Sequence, residues 1–128
     1  MSAVHVVRFD YQDAIQWGVI RQGVITVIPG SFATTGDFIR QNSLEDLRQL
    51  KGTELVESDV KVLSPVTRNQ QFVCQGANYR QHMIESGMDP DAKKFNMIFT
   101  KATSCLVAAD SDLIKPRTVR FLDYEIEL

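Results

Sequence analysis

The chain opens on short β-rich runs. Residues 4–9 (Val-His-Val-Val-Arg-Phe) read as a strand. Residues 17–20 and 24–28 are further β-rich runs flanking Arg21-Gln22-Gly23. That arrangement predicts a hairpin in which Gly23 supplies a positive φ. Pro29-Gly30 breaks the second run. The period then changes. Leu44, Leu47 and Leu50 recur every third residue behind Ser43, a good N-cap, with Asp46 three residues on. These residues predict a scaffold helix with all three leucines facing the core, Lys51 at its negative end and Gly52 at C′.

Residues 60–63 form a short apolar run closed by Ser64-Pro65, and the composition turns polar over 67–71. This polar stretch is the predicted boundary between a small N-terminal domain, 1–66, and a second unit, 67–128, which opens with a strand at 72–74. The last alternation is sharp. Leu122, Tyr124, Ile126 and Leu128 fall on one side, and Asp123, Glu125 and Glu127 on the other, so 121–128 reads as a strand running to the end of the sequence.

Composition narrows the classes. The 128 residues carry 14 basic and 16 acidic side chains, net −2, with 44% hydrophobic and 23% charged residues, as in ordinary globular domains. No apolar run approaches the ~20 residues of a membrane-spanning helix. The start, Met1-Ser2-Ala3-Val4-His5, has no signal-peptide pattern. The near-neutral charge offers no basic field for nucleic acid. Cys74 and Cys105 make neither a disulfide framework nor a CxxC pair, so a reducing cytoplasm is expected.

Three constellations can carry chemistry. In the first, Gly76 follows a strand and Asn78 is placed to cap a short helix ending near Gly87. His82 and Glu85 share a face of that helix at i, i+3. A carboxylate beside an imidazole makes a general base, but the same spacing also describes a solvated surface pair. The second is Glu125 and Glu127, two hard-oxygen donors on one strand face that suit Mg²⁺, Mn²⁺ or Ca²⁺; the same pattern describes the wet face of a charged edge strand. The third is Lys101, delivered by an apolar run and followed by Thr103 and Ser104. It can hold a substrate carboxylate or an enolate, or be a surface lysine at a strand end. Arg80 faces a similar choice between an anionic substrate and solvent. His5 reads as a satisfied residue of the first strand and Trp17 as core. Met83, Met88 and Met97 read as gap-fillers, and Cys105 as an inert cysteine.

The order of these segments carries more than any one of them. Cys-Gln-Gly-Ala-Asn-Tyr-Arg-Gln-His-Met-Ile-Glu at 74–85 is followed by Ile-Phe-Thr-Lys-Ala-Thr-Ser at 98–104. Asp-Leu-Ile-Lys-Pro follows at 112–116 and Leu-Asp-Tyr-Glu-Ile-Glu-Leu at 122–128. The series resembles the fumarylacetoacetate hydrolase family, in its branch acting on acylpyruvates, oxaloacetate and related 2-oxo acids. The resemblance is strongest over 60–128. It implies a β-rich α+β fold, with a small mixed domain followed by the start of a mixed β-sandwich roll. It implies that Glu125 and Glu127 bind the cation, that His82 and Glu85 form the proton-moving dyad, and that Lys101 steadies the enolate. Gly76, Asn78, Tyr79, Arg80 and Ser104 would shape and line the substrate site. The implied chemistry is C–C hydrolysis or lysis of a 2-oxo acid, with isomerase and hydratase members sharing the motifs, and the implied assembly is a homodimer.

Two departures stand out. Ala102 occupies a position where many members carry proline. Gln75, seven residues before His82, replaces a carboxylate ligand of the fumarylacetoacetate-cleaving branch. Family members also continue well beyond the E-x-E-L segment and bring a third ligand, an Asp. The expectation is therefore an N-terminal part of such an enzyme. The alternative is a non-catalytic binding or assembly module.

Overall fold

The computed structural model describes residues 3–92 and 94–124. The chain divides into two compact units, one comprising residues up to 70 with 106–112, the other 71–105 with the residues from 113 onward.

The first unit is an antiparallel five-stranded sheet with two short helices. Its strands are β1 (Val6–Tyr11), β2 (Ala14–Arg21), β3 (Val24–Val27), β4 (Glu54–Val56) and β5 (Lys61–Leu63), in the order β4-β3-β2-β1-β5. Arg21 pairs with Val24, so β2 and β3 join through a two-residue loop in which Gln22 and Gly23 have φ of 51° and 78°. This is the expected hairpin, with the left-handed pair that matches strand twist. A second such loop joins β1 to β2, with Gln12 at 53° and Asp13 at 62°.

The helices α1 (Thr35–Gln41) and α2 (Leu44–Gln49) start with the same device. Thr34 Oγ1 accepts from Asp37 N at 3.0 Å and donates to Asp37 Oδ2; Ser43 Oγ accepts from Asp46 N at 3.1 Å and donates to Asp46 Oδ2. Each hydroxyl satisfies one of the orphan N–H groups at a helix start. Arg21 Nη2 donates to the carbonyls of Leu47 and Arg48, pinning the hairpin to the end of α2.

The core over one sheet face contains Trp17, Val19, Ile28, Phe38 and Leu47. Trp17 stacks on Phe38 at 4.4 Å between centroids, and Phe32 meets Phe38 edge-on. Phe9 and Ile25 are fully buried on the other face, beside Gly18.

Three local expectations are corrected here. Leu47 is buried and Leu50 packs partly buried against the core, but Leu44 is exposed, because a six-residue helix presents too little length for a three-leucine stripe. Leu50 is the C-cap, and Gly52 does not take the positive φ of a C′ glycine. His5 precedes β1 and its side chain is exposed; only its carbonyl joins the ladder, accepting from Ile20 N.

The second unit pairs β6 (Phe72–Gln75) with β7 (Ile98–Lys101) antiparallel, with α3 (Arg80–Glu85) between them in sequence. The fold is thus a small α/β mixture built on antiparallel sheets. The strand expected over 121–128 is not formed across its described part. Residues 121–124 have no strand conformation, and Phe121 and Tyr124 are exposed. Alternation makes a strand only where a partner supplies the ladder, and among the described residues none pairs with this segment.

Candidate functional site

Apart from Glu125 and Glu127, the expected site residues lie along the segment from β6 through α3 to β7 and the turn after it. Gly76 follows β6, and its backbone N–H donates to Met97 O at 2.9 Å. A Cβ on Gly76 would meet the Met97 side chain at 2.5–3.0 Å, so the residue is small because Met97 lies over it. Asn78 does not cap α3, as the sequence suggested; Tyr79 holds that position without a side-chain cap. The Asn78 carboxamide instead reaches across to Met97. Its Oδ1 accepts from Met97 N at 2.7 Å, and its Nδ2 donates to Met97 O at 2.8 Å and to Gln75 Oε1 at 3.2 Å. The chain leaving β6 is thereby tied to the chain entering β7.

Helix α3 ends as its glycine predicts. Gly87 has φ of 72°, its N–H donates to Ile84 O, and Met88 N donates to Met83 O. These are the two bonds of a Schellman closure. His82 is half-buried and Glu85 exposed on this helix, and Glu85 Oε1 accepts from Gln81 Nε2 at 2.9 Å. Met83 is buried. Met88 and Met97 are not, and with Met83, Ala77, Asp89 and Ala92 they line an open cavity of about 370 Å³.

Arg80 is committed to a partner that the sequence did not reveal. Its guanidinium grips Asp91 with two bonds, 2.6 and 3.1 Å, eleven residues away. The hydrogen bond and charge of Arg80 hold the Asp91 carboxyl below the usual aspartate range, and Asp91 raises Arg80 in turn. Both groups are exposed, so the pair orients the loop more than it stabilises it.

Lys101 ends β7 and is exposed, and Ser104 sits exposed in the 3-10 turn Thr103–Cys105 that follows. Cys105 is exposed and Cys74 buried; both are free thiols. The expected cation ligands Glu125 and Glu127 lie outside the described residues. Among the described residues, no group of three or more His, Cys, Asp or Glu converges as a metal cage, and no helix is long and apolar enough to cross a membrane.

Comparison with known proteins adds independent weight. Residues 71–128 match the family described as Fumarylacetoacetate (FAA) hydrolase C-terminal, and residues 4–65 match Rv2993c-like, N-terminal. A mitochondrial oxaloacetate tautomerase of Bos taurus is 33% identical over 100 residues, covering 74% of this chain and 31% of that protein. An oxaloacetate tautomerase of Bacillus subtilis is 36% identical over 74 residues, 56% of this chain and 24% of that protein. An uncharacterised protein of Methanocaldococcus jannaschii is 30% identical over 86 residues, 67% of this chain and 32% of that protein. The chain thus spans about a third or less of the length of these relatives. With two family matches that adjoin along the sequence and the motif order already described, the chain belongs to the fumarylacetoacetate hydrolase family.

Proposed function

We propose that this chain serves the enolate chemistry of 2-oxo acids, with interconversion of the enol and keto forms of oxaloacetate as its reaction. The observation that carries this reading is the ordered set of motifs, of which the His82–Glu85 helix and Lys101 fall on α3 and at the end of β7. That the Bos taurus and Bacillus subtilis relatives are oxaloacetate tautomerases supports the choice of reaction.

The step needs little machinery. The enol hydroxyl gives up a proton and the neighbouring carbon gains one, so atoms and electrons balance without a co-reactant. His82, with Glu85 on the same helix face, holds and moves that proton. Lys101 opposes the negative charge that grows on the enolate oxygen. Ser104 and Tyr79 line the approach. The carboxylates Glu125 and Glu127 have the hard-oxygen chemistry that Mg²⁺, Mn²⁺ or Ca²⁺ takes, and they would hold it. When bound, such a cation supplies Lewis-acid polarisation of the keto oxygen.

A second reading keeps the same residues. The family description is a hydrolase, which favours C–C hydrolysis or lysis of an acylpyruvate-like acid through the same enolate. We further propose the β-sandwich roll of the family for the region from 67 onward, a homodimer, and a cytoplasmic setting that suits the two free thiols.

The test is loss of enol absorbance from oxaloacetate with Mg²⁺, measured on the chain and on any longer product of its gene. His82→Ala is expected to lower the rate by a factor of about 10² or more. Release of pyruvate from an acylpyruvate would select the second reading. No turnover of any 2-oxo acid, or a rate indifferent to both His82→Ala and Lys101→Met, would overturn both.

A further inference from the structure

The β6–β7 register places Phe72 opposite Lys101 and Cys74 opposite Phe99. Alternation puts Phe99 and Lys101 on the same face of β7, so Phe72, Phe99 and Lys101 share one side of the two-stranded sheet, with buried Cys74 between the rings' strand positions. The Lys101 Nζ lies 5.5 Å from the Phe99 ring centroid and 6.0 Å from that of Phe72. Both fall within the range in which a ring face attracts a cation. Among the described residues the ammonium meets these two rings and no carboxylate.

A free lysine tip samples many rotamers, and ordering it has an entropic cost. An ion pair would order it but would cancel its charge toward a substrate. Two ring faces order it and leave the charge unneutralised. We propose that Phe72 and Phe99 are positioning residues that cradle the Lys101 ammonium, so that it meets an anionic substrate from a restricted set of orientations. Phe72 works across the strand pair and Phe99 from the same strand. The consequence for catalysis rests on the enolate reading of Lys101; the cradle itself does not.

Packing of the lysine stem against apolar surface is the competing explanation. Leucine would preserve it and tyrosine would too, but only tyrosine keeps the ring face. The experiment is therefore the ε-methylene resonance of Lys101 in lysine-labelled protein, assigned by its loss in Lys101→Met. Ring currents are expected to move it upfield of free lysine. Phe72→Leu and Phe99→Leu should each return it part of the way, while Phe72→Tyr and Phe99→Tyr keep it. On oxaloacetate, each leucine variant should raise KM about two- to fivefold, the equivalent of one partly exposed cation–π contact. The tyrosine variants should match the parent. A wild-type resonance at the free-lysine position, or one unmoved by both leucine variants, overturns the cradle whatever the turnover. Lys101→Met with undiminished turnover would instead strike the enolate reading and leave the resonance result standing.

Discussion

The side chain of Asn78 stands in for a strand residue opposite Met97. Its carboxamide takes up both backbone groups of Met97, accepting from N at 2.7 Å and donating to O at 2.8 Å. Gly76 N shares the same carbonyl. The ladder that ends at Gln75 and Ile98 is thus continued one step further by a side chain. Asn78→Ala removes both bonds and leaves the Met97 N–H to water. A cost of about 1–2 kcal/mol is expected, felt locally. Asn78→Asp keeps the acceptor but sets an anionic oxygen against Met97 O and Gln75 Oε1, so it should not rescue the loss. Hydrogen exchange over 76–97 should quicken in both variants, with the N-terminal sheet unchanged. Equal loss of protection in the two units would contradict this assignment.

Arg80 and Asp91 make a pH prediction of definite sign. The Arg80 hydrogen bond, and then its charge, depress the Asp91 carboxyl below its unfolded value. Whatever the pair contributes is therefore present above the ordinary aspartate range and lost as pH falls through the lower, folded value. Arg80 stays charged throughout. NMR titration of the Asp91 carboxyl should give a midpoint below that of Asp91 in Arg80→Gln. Because both partners are exposed, salt should narrow the difference. Identical midpoints in parent and variant at low salt would show that the grip does not persist in solution.

Two glycines should fail for different reasons. At Gly18 a Cβ would run into Ile25 Cγ2 and come within 3.0 Å of the Thr26 carbonyl and 3.2 Å of Phe9 Cε1. Ile25 and Phe9 are fully buried, so little can move. Gly18→Ala should cost about 1–3 kcal/mol by overpacking, or more because backbone is involved. At Gly23 nothing lies within 4 Å, but φ is 78°. Gly23→Ala should cost about 1–2 kcal/mol through backbone strain alone. Gly23→Asn, which tolerates that region, should recover part of it. Chemical denaturation of the three variants separates the mechanisms, and an asparagine variant no better than alanine would contradict the second.

What the sequence revealed follows from how local each signal is. The Gln22-Gly23 loop, the Ser43–Asp46 cap and the Gly87 closure involve neighbours within a few residues, and each was legible. The Gln12-Asp13 loop has the same geometry without a glycine, so no residue announced it. The Thr34–Asp37 pair repeats the Ser43–Asp46 device and was there to be read; Gly36 inside the first turn obscured it. Trp17 was recognisable as core, but its stacking on Phe38 depends on α1, which was not anticipated. At the site, the order of His82, Glu85 and Lys101 was readable. The bonds that hold their segments were not, because Asn78–Met97 and Arg80–Asp91 span 19 and 11 residues. Asn78 misled for a physical reason: the side chain that makes a good cap also makes a good cross-strand amide pair.

The metal reading yields the most direct prediction. Glu125 and Glu127 are the only donors the motif order assigns, and two carboxylates alone hold a hard divalent cation weakly. Binding to the chain should therefore be weak and sensitive to each. In the active product of the gene, a chelator should abolish turnover and Mg²⁺ or Mn²⁺ should restore it. Glu125→Gln removes a charge but keeps size and an acceptor. It should shift the metal titration to higher concentration by an order of magnitude or more, as should Glu127→Gln, while far-ultraviolet dichroism stays unchanged. Asp123→Asn makes the informative control, since it removes a neighbouring charge on the same side of the sequence pattern. If that variant shifts the titration as far as Glu125→Gln, general electrostatics account for the effect. If it does not, the two glutamates bind the cation as ligands.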